Sequence, residues 1–261
     1  MTDSIEKIAS DLAKYLRREQ KLGTSLYFDE GVINKDPDEE QDPFIKYCSE
    51  FVAVTLGLLK SQKQFETPEL PLKEKEVKLA EMNEEVAVCE SCKLAPSRTN
   101  TVFGTGSPDA NIVFVGEAPG KNEDLEGKPF VGRSGKLLTG IIDAIKFSRD
   151  DVFICNILKC RPPENRDPAK DEVLECEPFL KQQLEIIRPK VICCLGRHAA
   201  MTLLRDKSSL ADMRLKAMFY EGIPVIVTYH PAALLRNPNW KRPCWDDMRK
   251  LRALHDELMK P

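Results

Sequence analysis

Residues 112–120 read IVFVGEAPG, an uninterrupted apolar run that ends in a glycine–proline loop. Apolar residues at consecutive positions are typical of a strand that is covered on both faces of a sheet. Glycine and proline directly after the strand predict an abrupt turn that exposes backbone amides. This stretch therefore predicts a core strand of an α/β protein, followed by a loop that binds an anionic or carbonyl-bearing ligand.

The same alternation of strand and helix continues toward the C-terminus. Further strands are predicted in VFICNILKC (152–160), KVICCLG (190–196) and twice within residues 216–231, whereas helices are predicted over 134–145, 168–187, 197–204 and about 245–259. This order predicts a three-layer α/β/α fold with a mainly parallel central sheet. Because ligands bind outside the carboxyl ends of such strands, Gly116–Glu117, Asn156 and His230 are expected to meet in one crevice.

The front of the chain has a different character. Helices are predicted over Ser4–Lys21, Phe44–Leu59 and Lys73–Val88, with an acidic linker at 31–43 and a proline-bounded break at 66–71. Residues 1–88 carry a net charge of −7, and residues 89–261 carry +4. We therefore divide the chain into an acidic helical extension with linkers, residues 1–75, and a second domain, residues 76–261. The role of the extension is not evident from its residues.

Composition narrows the class of protein. The hydrophobic content of 42% supports a sizeable core. No apolar run approaches the roughly 20 residues that span a bilayer, and the first residues lack the features of a signal peptide. We therefore expect a cytoplasmic protein without a membrane partner. Nine cysteines in such a protein indicate metal ligands and buried thiols rather than disulfides.

Four cysteines form a candidate metal site. Cys89 and Cys92 make a C-x-x-C half-site, while Cys160 and Cys176 lie on either side of the loop around Asn165. A set of four thiolates suits either an iron–sulfur cluster or a structural zinc ion. By contrast, the thiols of Cys155, Cys193 and Cys194 lie in apolar strands and are expected in the core.

Two strand ends carry candidate ligand-binding side chains. Asn156 can donate and accept hydrogen bonds at once, which suits the Watson–Crick edge of a pyrimidine, although Asn is also a common turn residue. His230 can donate to a pyrimidine carbonyl as negative charge develops; the alternative is a satisfied core histidine. After His230, residues Leu234, Leu235 and Arg236 predict a wedge with a phosphate contact, the alternative being ordinary helix packing.

Four segments together resemble a known family. GEAPGKNEDLEGKPFVGRSGKLL (116–138), CNILKCRPPENRDP (155–168), CEPFLKQQLEIIRPKVICCLG (176–196) and YHPAALLRNP (229–238) strongly resemble the family-four uracil-DNA glycosylases of thermophilic bacteria and archaea. The resemblance covers roughly residues 76–261, which would then be the catalytic domain. It implies the uracil-DNA glycosylase fold and a [4Fe–4S] cluster bound by Cys89, Cys92, Cys160 and Cys176.

The resemblance also implies roles for the residues of the crevice. It implies that Glu117 is the active-site glutamate and that Glu123 is the glutamate near the C5 edge of the base. It likewise implies that Phe130 stacks on the base and that Asn156 reads the base. Asn165 would then be the loop asparagine and His230 the motif histidine. One relative in the superfamily forms a covalent DNA adduct through a loop histidine. The corresponding loop here, residues 161–172, contains no histidine, so we expect no crosslinking.

These assignments predict a mechanism. Leu234 and Leu235 push uracil from the DNA stack, Phe130 stacks on it and Asn156 reads its edge. His230 and the backbone amides after Gly116, including that of Ala118, stabilise the uracil anion, while Glu117 positions water or stabilises the sugar cation. The cluster is expected to be structural.

Two other functions remain open from sequence. The first is a glycosylase of the same fold that prefers another deaminated base, and the second is a non-catalytic DNA-binding or polymerase-associated module. The predicted substrate is uracil-containing DNA in the nucleoid. A repair or replication protein bound by the N-terminal extension is a further candidate partner.

Overall fold

A computed structural model describes residues 43–62 and 68–260. The helix predicted over Ser4–Lys21 and nearly all of the acidic linker fall outside the described residues. Six strands form one sheet in the order β1-β3-β2-β4-β6-β5. Their bounds are β1 Thr105–Gly106, β2 Ile112–Gly116, β3 Phe153–Asn156, β4 Val191–Leu195, β5 Met218–Tyr220 and β6 Ile223–Thr228.

The centre of the sheet is parallel. β3, β2, β4 and β6 pair in parallel, whereas the short strands β1 and β5 add antiparallel edges. The predicted mainly parallel sheet is therefore confirmed. Edge strand β1 has only two residues, too few for a period of alternation to show in the sequence.

Helices cover both faces of the sheet. They are α1 Pro43–Leu59, α2 Leu72–Ala87, α3 Lys121–Glu126, α4 Arg133–Ala144, α5 Lys170–Ile187, α6 Arg197–Leu204, α7 Leu210–Met213, α8 Pro231–Arg236 and α9 Lys241–Leu258. The predicted helices match within two residues, except that α9 begins four residues earlier than predicted. None of the helices in the described ranges is both long and apolar enough to cross a bilayer.

Alternate residues of β2 pack into two separate cores. Val113 and Val115 face one apolar cluster, which α2, α5 and α6 cover. Ile112 and Phe114 face a second cluster, which α1, α4 and α9 cover. Because successive strand side chains point to opposite faces, this arrangement produces the predicted three layers. The predicted core thiols Cys155, Cys193 and Cys194 are fully buried.

Helix α1 packs into the core of the domain that contains the sheet. Its residues Phe44 and Phe51 are buried in the cluster that also holds Leu251 of α9. The predicted boundary at residue 75 lies inside α2, where the Lys75 ammonium donates a 3.0 Å hydrogen bond to the carbonyl of Ile187. The division of the chain at residue 75 stays a prediction, but helix α1 packs as part of the sheet-containing unit.

Candidate active site

The carboxyl ends of β2 and β3 form the floor of the site. Gly116 and Asn156 are paired in register at the last position of the two strands. A Cβ atom on Gly116 would lie 2.2 Å from Oδ1 of Asn156 and 2.7 Å from the ring of Phe130, so only glycine fits here. Asn156 is 2% exposed, and its Oδ1 has no hydrogen-bond partner within the described residues. A buried acceptor without a donor is costly, which points to a donor on a bound ligand.

Phe130 is held in an unusual backbone conformation beside this floor. Its φ of 52° lies in the left-handed region, which bulky residues rarely adopt. The Arg149 guanidinium donates to the carbonyl of Phe130 at 3.3 Å. A Cβ atom on Gly135 would lie 1.8 Å from the same carbonyl oxygen, so a glycine is required there as well. The ring is thereby fixed with its centroid 5.6 Å from that of the His230 ring.

Glu123 stabilises the loop that carries Phe130. Its Oε1 accepts hydrogen bonds from the backbone amides of Val131 and Gly132, both at 3.0 Å. The carboxylate is nearly buried at the start of α3. The resemblance implied a position near the C5 edge of a base, whereas the contacts recorded here are to the loop itself.

His230 begins helix α8 directly after β6. Its Nδ1 accepts a 3.1 Å hydrogen bond from the amide of Ala232, which leaves the proton of the neutral ring on Nε2. Burial, together with the charge of Arg236, lowers the pKa of His230 to about 4, although Glu123 opposes the shift. The ring is therefore neutral at pH 7 and offers one N–H donor.

Glu117 directly follows Gly116, the last residue of β2. Its carboxylate pairs with a histidine that the sequence interpretation did not assign to the site. Nδ1 of His198 lies 2.9 Å from Oε1 of Glu117 and 3.6 Å from Oδ1 of Asp167. The three ligand atoms lie within 4.8 Å of one another. His198 stands in the first turn after β4, and the carboxyl end of a parallel strand is the signal that could have identified it.

Asn165 occupies the neighbouring loop, and within the described residues it makes no side-chain hydrogen bond to Glu117. Its Oδ1 accepts a 2.8 Å hydrogen bond from Nε of Arg161, and its φ is 54°. The loop reaches Glu117 instead through Asp167 and His198. A role of Asn165 in catalysis stays a prediction.

The four predicted cysteine ligands line one small cavity behind the site. Cys89, Cys92, Cys160 and Cys176 surround it, together with residues that include Arg98 and Phe179. The four cysteines therefore meet at one place, as a metal site with four thiolate ligands requires.

The surroundings of the thiols suit an anionic metal centre. The Arg98 guanidinium donates to Sγ of Cys160 at 3.6 Å, and the Lys159 amide donates to Sγ of Cys176 at 3.2 Å. Burial raises the pKa of Cys176 to about 11, so a bound cation is needed to hold this sulfur as a thiolate. The Arg98 guanidinium thus supplies positive charge beside Cys160, while Lys159 contacts Cys176 through its backbone amide.

Comparison with known proteins identifies the family. The model of the uracil DNA glycosylase superfamily matches residues 103–249. The type-4 uracil-DNA glycosylase of Sulfurisphaera tokodaii is 48% identical over 185 residues, which cover 67% of this chain and 84% of that relative. The chain belongs to the type-4 uracil-DNA glycosylases. The Archaeoglobus fulgidus and Thermotoga maritima members are 47% and 46% identical; the matches cover 65% and 60% of this chain and 89% and 82% of those relatives.

Helix α8 of this type-4 family member corrects the predicted wedge. Leu234 is fully buried in the core, because it points inward from α8 against the cluster beside the sheet. Its predicted contact with DNA is therefore wrong. Leu235 is 40% exposed and Arg236 is also exposed, and the contact of these two side chains with DNA stays a prediction.

An open groove joins these two residues to the loop of the active site. Leu235 and Arg236 line it from one side, and Lys121 and Arg133 line it from the other. Lys121 and Arg133 begin α3 and α4, where the helix dipole adds positive potential. The sequence interpretation did not assign these two residues, although a basic side chain at the start of a helix that follows a glycine is a recognisable signal for phosphate binding.

Proposed function

We propose that this protein hydrolyses the N-glycosidic bond of uracil flipped out of DNA, the step that initiates base excision repair, with the residues that meet at the ends of β2, β3 and β6. The type-4 relatives are named for this activity. The observation that carries the assignment of residues is the unpaired, buried Oδ1 of Asn156 beside Phe130. The comparisons give no support to a different base preference or to a non-catalytic module.

The groove beside α8 binds the DNA backbone. Lys121, Arg133 and Arg236 supply positive charge along it, and contacts to phosphates account for most of the sequence-independent affinity for DNA. Leu235 is the exposed apolar side chain that enters the stack as uracil leaves it.

Phe130 and Asn156 recognise the base. The ring of Phe130 stacks on the flipped pyrimidine. Asn156 Oδ1 accepts from N3–H of uracil, and its amide nitrogen donates to the C4 carbonyl. Cytosine presents an amino group and an unprotonated nitrogen at the same positions, so a fixed amide rejects it. Glu123 contributes indirectly, because its bonds to Val131 and Gly132 fix the loop that carries the ring.

Bond cleavage leaves its electrons on the base. As the bond between C1′ and N1 breaks, uracil becomes an anion and the sugar becomes an oxocarbenium-like cation. Nε2–H of His230 and the backbone amides of Glu117 and Ala118 stabilise the anion, and a neutral donor suits this task. The carboxylate of Glu117 stabilises the cation or orients the water that adds to C1′, and the proton that this water loses neutralises the uracil anion, directly or through solvent.

A [4Fe–4S] cluster bound by the four cysteines holds the framework of the site. The four cysteines line one cavity, and Arg98 and Lys159 donate hydrogen bonds to two of their sulfurs, which supports a metal centre here; the cluster itself is what the resemblance to the type-4 relatives implies. The cluster supplies no step of the reaction, because hydrolysis needs no electron transfer. Lys159 connects the cluster site with the base pocket, since its ammonium donates to the carbonyl of Asn156 at 2.8 Å.

The N-terminal extension, residues 1–75, has no proposed part in the reaction. None of the proposed binding or catalytic residues lies in residues 1–75. Docking of a repair or replication protein on this acidic segment remains a prediction, and most of the segment lies outside the described residues.

Release of the free base tests the proposed function. The purified protein is incubated with labelled oligonucleotides that carry a single uracil, hypoxanthine, xanthine or cytosine. We expect free uracil and an abasic site from the first substrate and no base from cytosine. Release of another deaminated base without uracil would favour the same-fold glycosylase of different preference. DNA binding without any base release would favour the non-catalytic module.

A further inference from the structure

We propose that His198 is a positioning residue for catalysis, which holds one oxygen of the Glu117 carboxylate so that the other faces the reacting sugar or its water. This inference rests on the proposed function of Glu117. His198 lies far from Glu117 in the chain and outside the four segments that resemble the family.

The fold places His198 beside Glu117 with little freedom. β2 and β4 are parallel neighbours, and Val115 pairs with Cys194 just before both strands end. Gly196 then turns the chain with a φ of 95° into α6. A Cβ atom on Gly196 would lie 2.9 Å from Cβ of His230, so the turn is tightly packed. The first turn of α6 therefore sits at a fixed place next to the end of β2.

The hydrogen bond fixes the orientation of the carboxylate. Nδ1 of His198 donates to Oε1 of Glu117 at 2.9 Å, a short charge-assisted bond. Asp167 lies 3.6 Å from the same nitrogen, beyond good hydrogen-bond distance, and its carboxylate is largely exposed. Glu117 is thus the preferred acceptor, and with Oε1 held by His198 its Oε2 is the oxygen that accepts from water or faces the sugar.

Both side chains are partly exposed, at 40% for His198 and 28% for Glu117. A partly exposed pair of polar side chains stabilises a fold only weakly, so the contribution of this pair should appear in the rate and not in folding. A carboxylate that is free to rotate spends less time in the reactive orientation. Because a misplacement of about 1 Å can reduce a rate about 100-fold, we expect a sizeable kinetic effect.

The test is single-turnover release of uracil by His198→Ala and His198→Asn. We expect His198→Ala to lower the rate about 10- to 100-fold, while affinity for DNA carrying a non-cleavable uracil analogue changes less than about 2-fold. The amide of asparagine places an N–H near the position of Nδ1, so His198→Asn should recover most of the rate. In a Glu117→Ala background, His198→Ala should cause no further loss, because nothing remains to be positioned.

His255→Asn is the matched control. Nδ1 of His255 lies 3.0 Å from Oδ1 of Asp256 in helix α9, so it makes the same kind of pair away from the strand ends. The rate of uracil release by His255→Asn should equal that of the wild type. The inference is overturned if His198→Ala keeps the wild-type rate, if the asparagine variant is no better than alanine, or if the losses from Glu117→Ala and His198→Ala multiply. A wild-type protein that releases no uracil would instead overturn the proposed function.

Discussion

A Cβ atom on Gly116 would lie 2.2 Å from the side-chain oxygen of Asn156, closer than any van der Waals contact allows. The end of β2 therefore has room for backbone only, because the amide of Asn156 and the edge of Phe130 occupy the space above it. The shape of the proposed base pocket thus depends on the absence of a side chain at this position.

Gly116→Ala should damage the pocket. The added methyl group displaces the amide of Asn156 and the ring of Phe130, and displacements of this size lower rates about 100-fold. Overpacking also costs about 1–3 kcal/mol of stability. Single-turnover uracil release and denaturant unfolding measure the two effects.

Gly140→Ala is the control for this substitution. A Cβ atom on Gly140 in helix α4 meets nothing within 4 Å, so alanine should stabilise the helix by about 0.5–1 kcal/mol and leave the rate unchanged. Equal rates in both alanine variants would show that the floor does not contact the base.

Asn156→Ala should lose uracil excision by about 100-fold or more, because each buried group left unpaired costs about 1–3 kcal/mol. Asn156→Asp should also lose it, while a protonated carboxyl supplies the reversed donor–acceptor pair and should give a trace of cytosine excision. Release of labelled base from matched oligonucleotides is the measurement. Near-normal uracil release by a folded Asn156→Ala protein would show that another residue reads the base.

The neutral state of His230 should make folding sensitive to acid. Burial lowers its pKa from 6.5 to about 4, so between these values the unfolded chain binds a proton that the folded protein does not. Stability from this residue is present above pH 6.5 and is lost as the pH falls toward 4, by about 3 kcal/mol in total. Denaturant unfolding at several pH values measures this loss.

His230→Gln isolates the contribution. Burial raises the pKa of Asp246 to about 6, which acts in the opposite direction over the same pH range but cancels between the two proteins. The difference in free energy of unfolding between wild type and His230→Gln should therefore shrink as the pH falls from 6.5 to 4. A difference that stays constant with pH would mean that His230 titrates normally.

Cys160→Ser should remove the iron of the purified protein together with its visible absorbance, and should lower its melting temperature. Cys193→Ala should leave both iron and colour intact, since Cys193 lies fully buried within β4. Metal analysis measures the iron content of each variant, and the visible absorbance spectrum measures its colour. One zinc and no iron in the wild-type protein would refute the cluster.

Truncation should separate chemistry from stability. A chain that begins at residue 43 should keep both the rate and the melting temperature of the full protein. A chain that begins at residue 76 keeps every proposed site residue but loses α1, which exposes the apolar side of α9. We expect it to retain activity at low temperature and to melt several degrees lower. An inactive but folded 76–261 chain would place part of the catalytic apparatus in the extension.

Most of the fold could be predicted because its elements have strong local patterns. The core strands are continuous apolar runs, and the larger helices show a clear period. Helix α3 and strand β1 were missed because six and two residues are too few for either period to show. The start of α9 was misplaced because Pro243 lies in its first turn, where proline is tolerated although it resembles a stop signal.

The positions of Asn156 and His230 at the ends of strands could be predicted, whereas their roles in the site stay predictions. His198 was missed because its partner Glu117 lies 81 positions away, and only the pairing of β2 with β4 brings them together. Leu234 was assigned to the wrong environment because two successive leucines on a short helix face in different directions. The residue types of Leu234 and Leu235 alone do not show which of the two side chains is buried.

The loop that carries Phe130 has a consequence for the thermodynamics of binding. Glu123, Arg149 and Gly135 hold the ring in its left-handed backbone conformation before any base arrives. Ordering a side chain on binding costs about 0.5–1.5 kcal/mol, and here that entropy is lost during folding instead. Loosening the loop should therefore weaken association with free uracil mainly through an entropic penalty, visible by calorimetry as a less favourable entropy at nearly unchanged enthalpy.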